Sequence, residues 1–191
     1  YKFVVPELVR DRITNFFDNL SQPFRMMNNL AQGDGATFAE NLGAFVLNTT
    51  TGLGGLFNVA GSMGAYKYNN DLGTTMAYYD VEQGPYLFVY RPSNVRDFSG
   101  EMGELVLDPK NLFFATMESG VIFSAVNGFN SYVNMIPMIE QAESISVDGY
   151  TGMKSMWTQY RRKQVNDSLK RAGKSEMETK QDNFSMDIDE E

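Results

Sequence analysis

The stretch LNTTTGLGGLFNVAG, residues 47–61, decides how the rest of the chain is read. It lies inside an uncharged run of about 26 residues, 41–66, and about 20 apolar helical residues suffice to cross a bilayer. Yet six glycines fall between Gly43 and Gly64, and a spanning helix would also have to bury Asn48, Thr49, Thr50, Thr51 and Asn58. Each interior glycine costs a helix roughly 1 kcal/mol relative to alanine, and unpaired amides in hydrocarbon cost more. The stretch is therefore not a span. It is not a phosphate loop either, because GLGGLF lacks the third glycine of GxGxxG and no Gly-Lys-Ser/Thr follows. Its spacing predicts the end of a helix, with Gly52, Gly54 and Gly55 turning the chain into a loop.

Working outward, Phe38, Leu42 and Phe45 form one stripe of the helix that feeds this turn. Further upstream, Ile13, Phe16, Phe17, Leu20, Phe24, Met27 and Leu30 predict an amphipathic helix or two over 12–31, with Pro23 opening the second after Ser21 and QGDG, 32–35, ending it. Downstream, residues 59–79 carry Gly61, Gly64, Asn69, Asn70 and Gly73 and read as a long loop or hairpin holding at most a short helix. GPYLFVYRPSNVRD, 84–97, reads as extended chain with turns, and Asp108-Pro109 as a helix opening. A second uncharged run, 119–139, is interrupted by Asn127, Gly128, Asn130, Asn134 and Pro137, which argues against a straight spanning helix. From Asp148 a final helix is expected that turns basic at Arg161, Arg162 and Lys163; beyond Lys174 the chain is polar, acidic and unpatterned, as disordered tails are. The expected class is all-α with little or no β-structure, divided into a helical domain over 1–167 and a tail over 168–191.

Composition narrows the chemistry. The chain of 191 residues has a net charge of -8, which opposes nucleic-acid binding. It has no cysteine and no histidine, which removes thiolate chemistry, the commonest general base and nearly every catalytic zinc site. No cofactor or metal is expected. A carboxylate enzyme would need a positioned pair among Asp71, Asp80, Glu82, Asp97, Glu101 and Glu104, and their spacing matches no known arrangement. Arg96-Asp97 could instead form a buried pair tying down a turn, and Arg161-Arg162-Lys163 reads more readily as the wet face of a terminal helix than as a phosphate site. Periodicity alone favours Phe-rich stripes packed on one another as a soluble helical core, although an interfacial helix carries the same pattern.

The wording of the sequence adds to its periodicity. NFFDNLSQP (15–23), the following N-x-L-x-Q-G (28–33), LNTTTGLGGLFNVAG, LGTTM, GPY, PSNVRD and the late D-G-Y-x(9)-Y-R-R (148–162) stand in an order that resembles the MlaA family, also called VacJ, over roughly residues 4–167. The resemblance implies an outer-membrane lipoprotein without enzymatic activity. It implies a ring of amphipathic helices in the inner leaflet, bound to a trimeric porin, with a polar channel that passes mislocalised phospholipid to the periplasmic lipid carrier MlaC. The second class of function considered is a structural lipoprotein domain that binds a porin or the cell wall and moves no lipid. By the resemblance, Asn41, Asn48, Thr49, Thr50 and Asn58 would line the lipid path. Phe16, Phe17, Phe38, Leu42 and Phe45 would face the membrane. Gly52, Gly54, Gly55, Asp80, Glu82 and Gly84 would form the gate or loop. The family's N-terminal lipid-anchored cysteine and its first helix have no counterpart, so the chain is expected to begin inside a mature protein. It departs from the family pattern at Ala44, where Arg is usual, at Asn58, where Asp is usual, and at Asp80 and Glu82, which replace the glycines of G-V-G.

Overall fold

The computed structural model describes residues 6–65, 68–89, 92–108 and 148–174, with scattered positions between 128 and 144. The elements are α1 (Glu7–Leu20), α2 (Gln22–Ala31), α3 (Gly35–Thr50), α4 (Val59–Ser62), α5 (Leu72–Tyr78), β1 (Tyr86–Phe88), β2 (Pro92–Asn94), α6 (Val95–Leu107) and α7 (Gly149–Arg171). The all-α class holds: the sheet among the described residues is one antiparallel hairpin pairing Tyr86 with Asn94 and Phe88 with Pro92. No helix among the described residues is long and apolar enough to cross a membrane.

Local chemistry sets the boundaries. The break between α1 and α2 falls at Ser21, with Pro23 in the first turn of α2, where its missing N–H costs nothing. Asp34 caps α3 by accepting the Thr37 N–H at 3.0 Å. The expected glycine turn follows α3: Gly54 and Gly55 take φ of 72° and 94°, and a Cβ on Gly55 would sit 2.7 Å from the Asn19 amide, so α1 and the turn approach as only glycine permits. Leu53 is also left-handed, at φ 52°.

Three expectations are corrected. Residues 59–79 hold two short helices, because Asn58 caps α4 through the Gly61 N–H at 3.0 Å and Asp71 and Thr74 form a reciprocal capping box on α5. The extended reading of 84–97 holds only to Asn94. There an Asn cap, accepting from the Asp97 N–H at 2.9 Å, starts α6, which was not expected. Asp108 ends α6 as its C-cap, and the proposed helix opening at Pro109 lies outside the described residues. So do most of the second uncharged run and all of 175–191. The expected boundary at residue 167 falls inside α7, whose Ser168 and Leu169 are buried.

The largest correction concerns polarity. The apolar stripes are only partly covered: Phe17 and Phe24 are buried, but Met27, Leu30, Leu42 and Val46 are exposed. α3 buries one face, carrying Thr37, Asn41, Ala44 and Asn48, whereas α2 is buried on two sides, Gln22, Met26 and Asn29 on one and Phe24 and Asn28 on the other. The apolar core among the described residues is small, with Ala77, Val165 and Leu169 flanked by Tyr78.

Candidate functional site

The buried polar groups form three connected clusters. In the first, α2, α5 and α7 meet through amides and hydroxyls. Gln32 donates to the Thr75 hydroxyl at 2.9 Å and its carbonyl accepts from Ser168 at 2.7 Å. Thr75 donates to Asn28 at 2.7 Å, and Asn70 donates to Asn29 at 2.5 Å. Arg171 donates to the Asn70 carbonyl at 3.0 Å and lies 3.8 Å from the Asp34 carboxylate. Groups this buried are stable only because they satisfy one another. Gln22, fully buried, keeps both amide atoms without a partner, and one amide atom each of Asn29 and Asn41 is also unpartnered.

The second cluster is ionic. Arg161 on α7 is buried, donating from Nε and Nη2 to Asp97 at 2.8 and 3.1 Å, and from Nη1 and Nη2 to Asp71 at 2.6 and 2.8 Å. Arg96 adds a bond from its Nε to Asp97 at 3.1 Å, so two cations face two carboxylates. Burial alone would raise the Asp97 carboxyl. The Arg161 hydrogen bonds and the charges of Arg161 and Arg96 outweigh it and hold Asp97 below its ordinary value. Burial likewise pushes Arg161 down, but Asp71 and Asp97 hold its guanidinium above the ordinary value. The glycines of LGTTM and of α6 make this possible, since a Cβ on Gly73 would fall 2.6 Å from Arg161 Nη2 and one on Gly100 2.6 Å from the Gly73 nitrogen.

The third cluster joins α3 to α4. Asn48, 1% exposed, accepts the Ala60 N–H at 2.9 Å and donates weakly to Asn58 at 3.4 Å. Of the expected path residues, Asn41 and Asn48 are interior, Asn58 is half-buried, and Thr49 and Thr50 are exposed. Thr49 accepts from Asn19 at 3.0 Å, and Thr50 bonds back to the Val46 carbonyl at 2.7 Å. Of the expected membrane-facing residues, Leu42 is exposed, Phe16, Phe38 and Phe45 are half-buried, and Phe17 is buried, a correction: neighbours in sequence lie about 100° apart on a helix, so Phe16 and Phe17 meet different surroundings. Gly52, Gly54 and Gly55 form one turn, whereas Asp80, Glu82 and Gly84 belong to the separate segment between α5 and β1.

The departures have local explanations. Asn58 fills the helix-cap role that Asp would fill equally well. Asp80 takes φ 62°, the left-handed conformation expected of a glycine, and Asp is one of the few other residues that tolerates it. Lys174 at the end of α7 binds its carboxylate at 2.9 and 3.0 Å and donates also to the Tyr78 carbonyl. The expected buried Arg96–Asp97 pair is present, while the basic triplet splits: Arg161 is buried and Arg162 and Lys163 are exposed. Sequence reasoning missed Asn28, Asn29, Gln32, Asn70, Thr75 and Ser168, although the uncharged polar stripe at 37, 41 and 48 was there to be read. No cluster of His, Cys, Asp and Glu among the described residues could hold a metal.

The features define a class: a helical protein that buries hydrogen-bonded amides, hydroxyls and ion pairs while many of its large apolar side chains, Met27, Leu30, Leu42 and Val46 among them, face outward. The chain belongs to the MlaA lipoprotein family, whose model matches residues 1–164. It is similar to an uncharacterized protein of Rickettsia felis, 28% identical over 158 residues, covering 81% of this chain and 62% of that protein. It is also similar to the intermembrane phospholipid transport system lipoprotein MlaA of Escherichia coli, 33% identical over 105 residues, 52% of this chain and 42% of that protein. A solved structure reported as the basis for maintenance of bacterial outer membrane lipid asymmetry matches with a TM-score of 0.71 at 26% identity, over 86% of this chain and 84% of that one. The chain thus spans less than two thirds of the length of the first Rickettsia relative.

Proposed function

We propose that this chain is the membrane-embedded part of a phospholipid transport system that keeps the outer membrane asymmetric. In this reading the full-length protein sits in the inner leaflet of the outer membrane, held by an N-terminal lipid and bound to a trimeric porin. Its helices form a ring, and phospholipid from the outer leaflet passes along a polar interior to the periplasmic lipid carrier MlaC. Asn41, Asn48 and Asn58 lie nearest the headgroup, and Leu42 with Phe38 and Phe45 faces acyl chains. No bond is made or broken in the substrate.

The observation that carries the reading is the inverted polarity. Burying Thr37, Asn41 and Asn48 while exposing Leu42 and Val46 is unfavourable in water and favourable where the outer surface meets hydrocarbon. Amides and hydroxyls guide a charged headgroup without trapping it in strong ion pairs. The test is a deletion strain complemented with this sequence behind a lipid anchor, scored by surface-exposed phospholipid. Leu42→Lys and Phe45→Lys are expected to lose complementation while the protein accumulates normally; Asn48→Asp is expected to lose complementation as well. Full complementation by both lysine variants would overturn the lipid-facing assignment.

A further inference from the structure

Between α1 and the turn leading into α4 lies a cleft of about 750 Å³, lined by Asp11, Arg12, Asn15, Phe57, Asn58 and Ser62 among others. It stands apart from the first two buried clusters, borders the third at Asn58, and is lined by two charged side chains, Asp11 and Arg12, that none of the clusters uses. The Arg12 guanidinium carbon lies 4.3 Å from the Phe57 ring centroid, and among the described residues this stacking is its one partner. Stacking fixes the plane of a guanidinium and leaves its N–H edge to point at an anion. Asp11, one residue earlier and exposed, has no partner among the described residues. Asn15 stands one helical turn on, near both, and donates only a long 3.5 Å bond to the Leu56 carbonyl.

The cleft therefore offers one cation, one anion and neutral polar groups between them, beside the exposed Phe57 and the half-buried Val59. We infer that it is a docking site for a zwitterionic phospholipid headgroup, with Arg12 on the phosphodiester and Asp11 on the ammonium. The inference rests on the proposed function and deepens it by naming the headgroup class. An anionic headgroup without an amine would meet Arg12 favourably but be repelled by Asp11, so the pair selects as well as binds. Phe57 and Val59 supply the apolar wall against which the start of the acyl chains would lie.

The experiment is native mass spectrometry on the detergent-purified chain, with an equimolar mixture of phosphatidylethanolamine and phosphatidylglycerol. The wild type is expected to retain phosphatidylethanolamine preferentially. Arg12→Gln should lower its retention about tenfold, the scale of a charge-assisted hydrogen bond. Asp11→Asn should lower the preference over phosphatidylglycerol by roughly threefold, the scale of an exposed charge pair. Both positions lie on the surface of α1, and unchanged circular dichroism verifies folding. If the wild type retains lipid but neither variant moves the ratio, the headgroup site is overturned and the transport reading stands. If the wild type retains neither lipid, both fall. Displacement of bound lipid by inorganic phosphate as effectively as by O-phosphorylethanolamine would also overturn the inference, since it would make the cleft a simple phosphate site.

Discussion

Replacing Arg161 by Met should destabilise the fold more than any other single change on α7. Arg161 is 6% exposed and Asp97 is 3% exposed, so the substitution removes five hydrogen bonds, four to the two carboxylates and one to Gln164, and leaves a carboxylate inside without its main partner. Breaking a buried ion pair from one side costs about 3–5 kcal/mol. Two features place this case at the lower end. Asp97 keeps Arg96 at 3.1 Å and the Asn94 amide at 2.7 Å, and the Asp71 side chain is 32% exposed, so water can reach it. A loss of about 3 kcal/mol corresponds to a fall in Tm of roughly 6–12 °C for a chain of this size. The chain has a single tryptophan, Trp157, buried one turn before Arg161, so urea unfolding followed by its fluorescence reads the site directly. Arg161→Lys should fall between the wild type and Arg161→Met, because lysine keeps the charge but not the fork that serves both carboxylates. Arg162→Met, on the exposed side of the same turn, should stay within about 0.5 kcal/mol of the wild type. A loss below about 1 kcal/mol for Arg161→Met, the value of an exposed pair, would refute the reasoning.

Three further outcomes follow from the same contacts. Because Asp97 is held below its ordinary value in the fold, its contribution is present above the unfolded carboxyl pKa of about 3.9 and is lost as pH falls through the lower folded value; acid unfolding of the wild type should show this limb, and Arg161→Met should flatten it. Gly100→Ala would place a Cβ 2.6 Å from the Gly73 nitrogen, where backbone must yield, so a loss of about 1–3 kcal/mol is expected by urea unfolding. Asn48→Ala strands the Ala60 N–H and should cost about 1–3 kcal/mol, with early hydrogen exchange at Ala60 and Gly61 as the local signature.

The two-helix N-terminal region, the glycine turn after α3 and the final helix were legible because their signals are local: a proline after Ser21, a cluster of glycines, an aspartate at 148. The capping box of α5 and the Asn94 cap of α6 were equally local but sat among glycines and β-formers that argued for loop and strand. Of the ionic centre only the adjacent Arg96–Asp97 pair was legible, because Asp71, Asp97 and Arg161 are brought together by packing across 90 and 64 residues, and nothing in their spacing says so. The direction in which the amphipathic helices face is a different kind of failure. A 3.6-residue period is symmetric under exchange of inside and outside, so Phe38, Leu42 and Phe45 predict a face without saying what it meets. The chemistry of the opposite stripe does distinguish the cases. A face turned to water can be covered with Lys and Glu, which need no partner there, whereas Thr37, Asn41 and Asn48 on α3, Asn28 and Asn29 on α2 and Gln32 at its C-cap are uncharged groups that both donate and accept. Such groups can satisfy one another across a helix interface, as Gln32, Thr75 and Ser168 do, and long charged side chains pack there far less easily. An amphipathic helix whose polar stripe is made of amides and hydroxyls is therefore read more soundly with that stripe inward and its apolar stripe toward lipid.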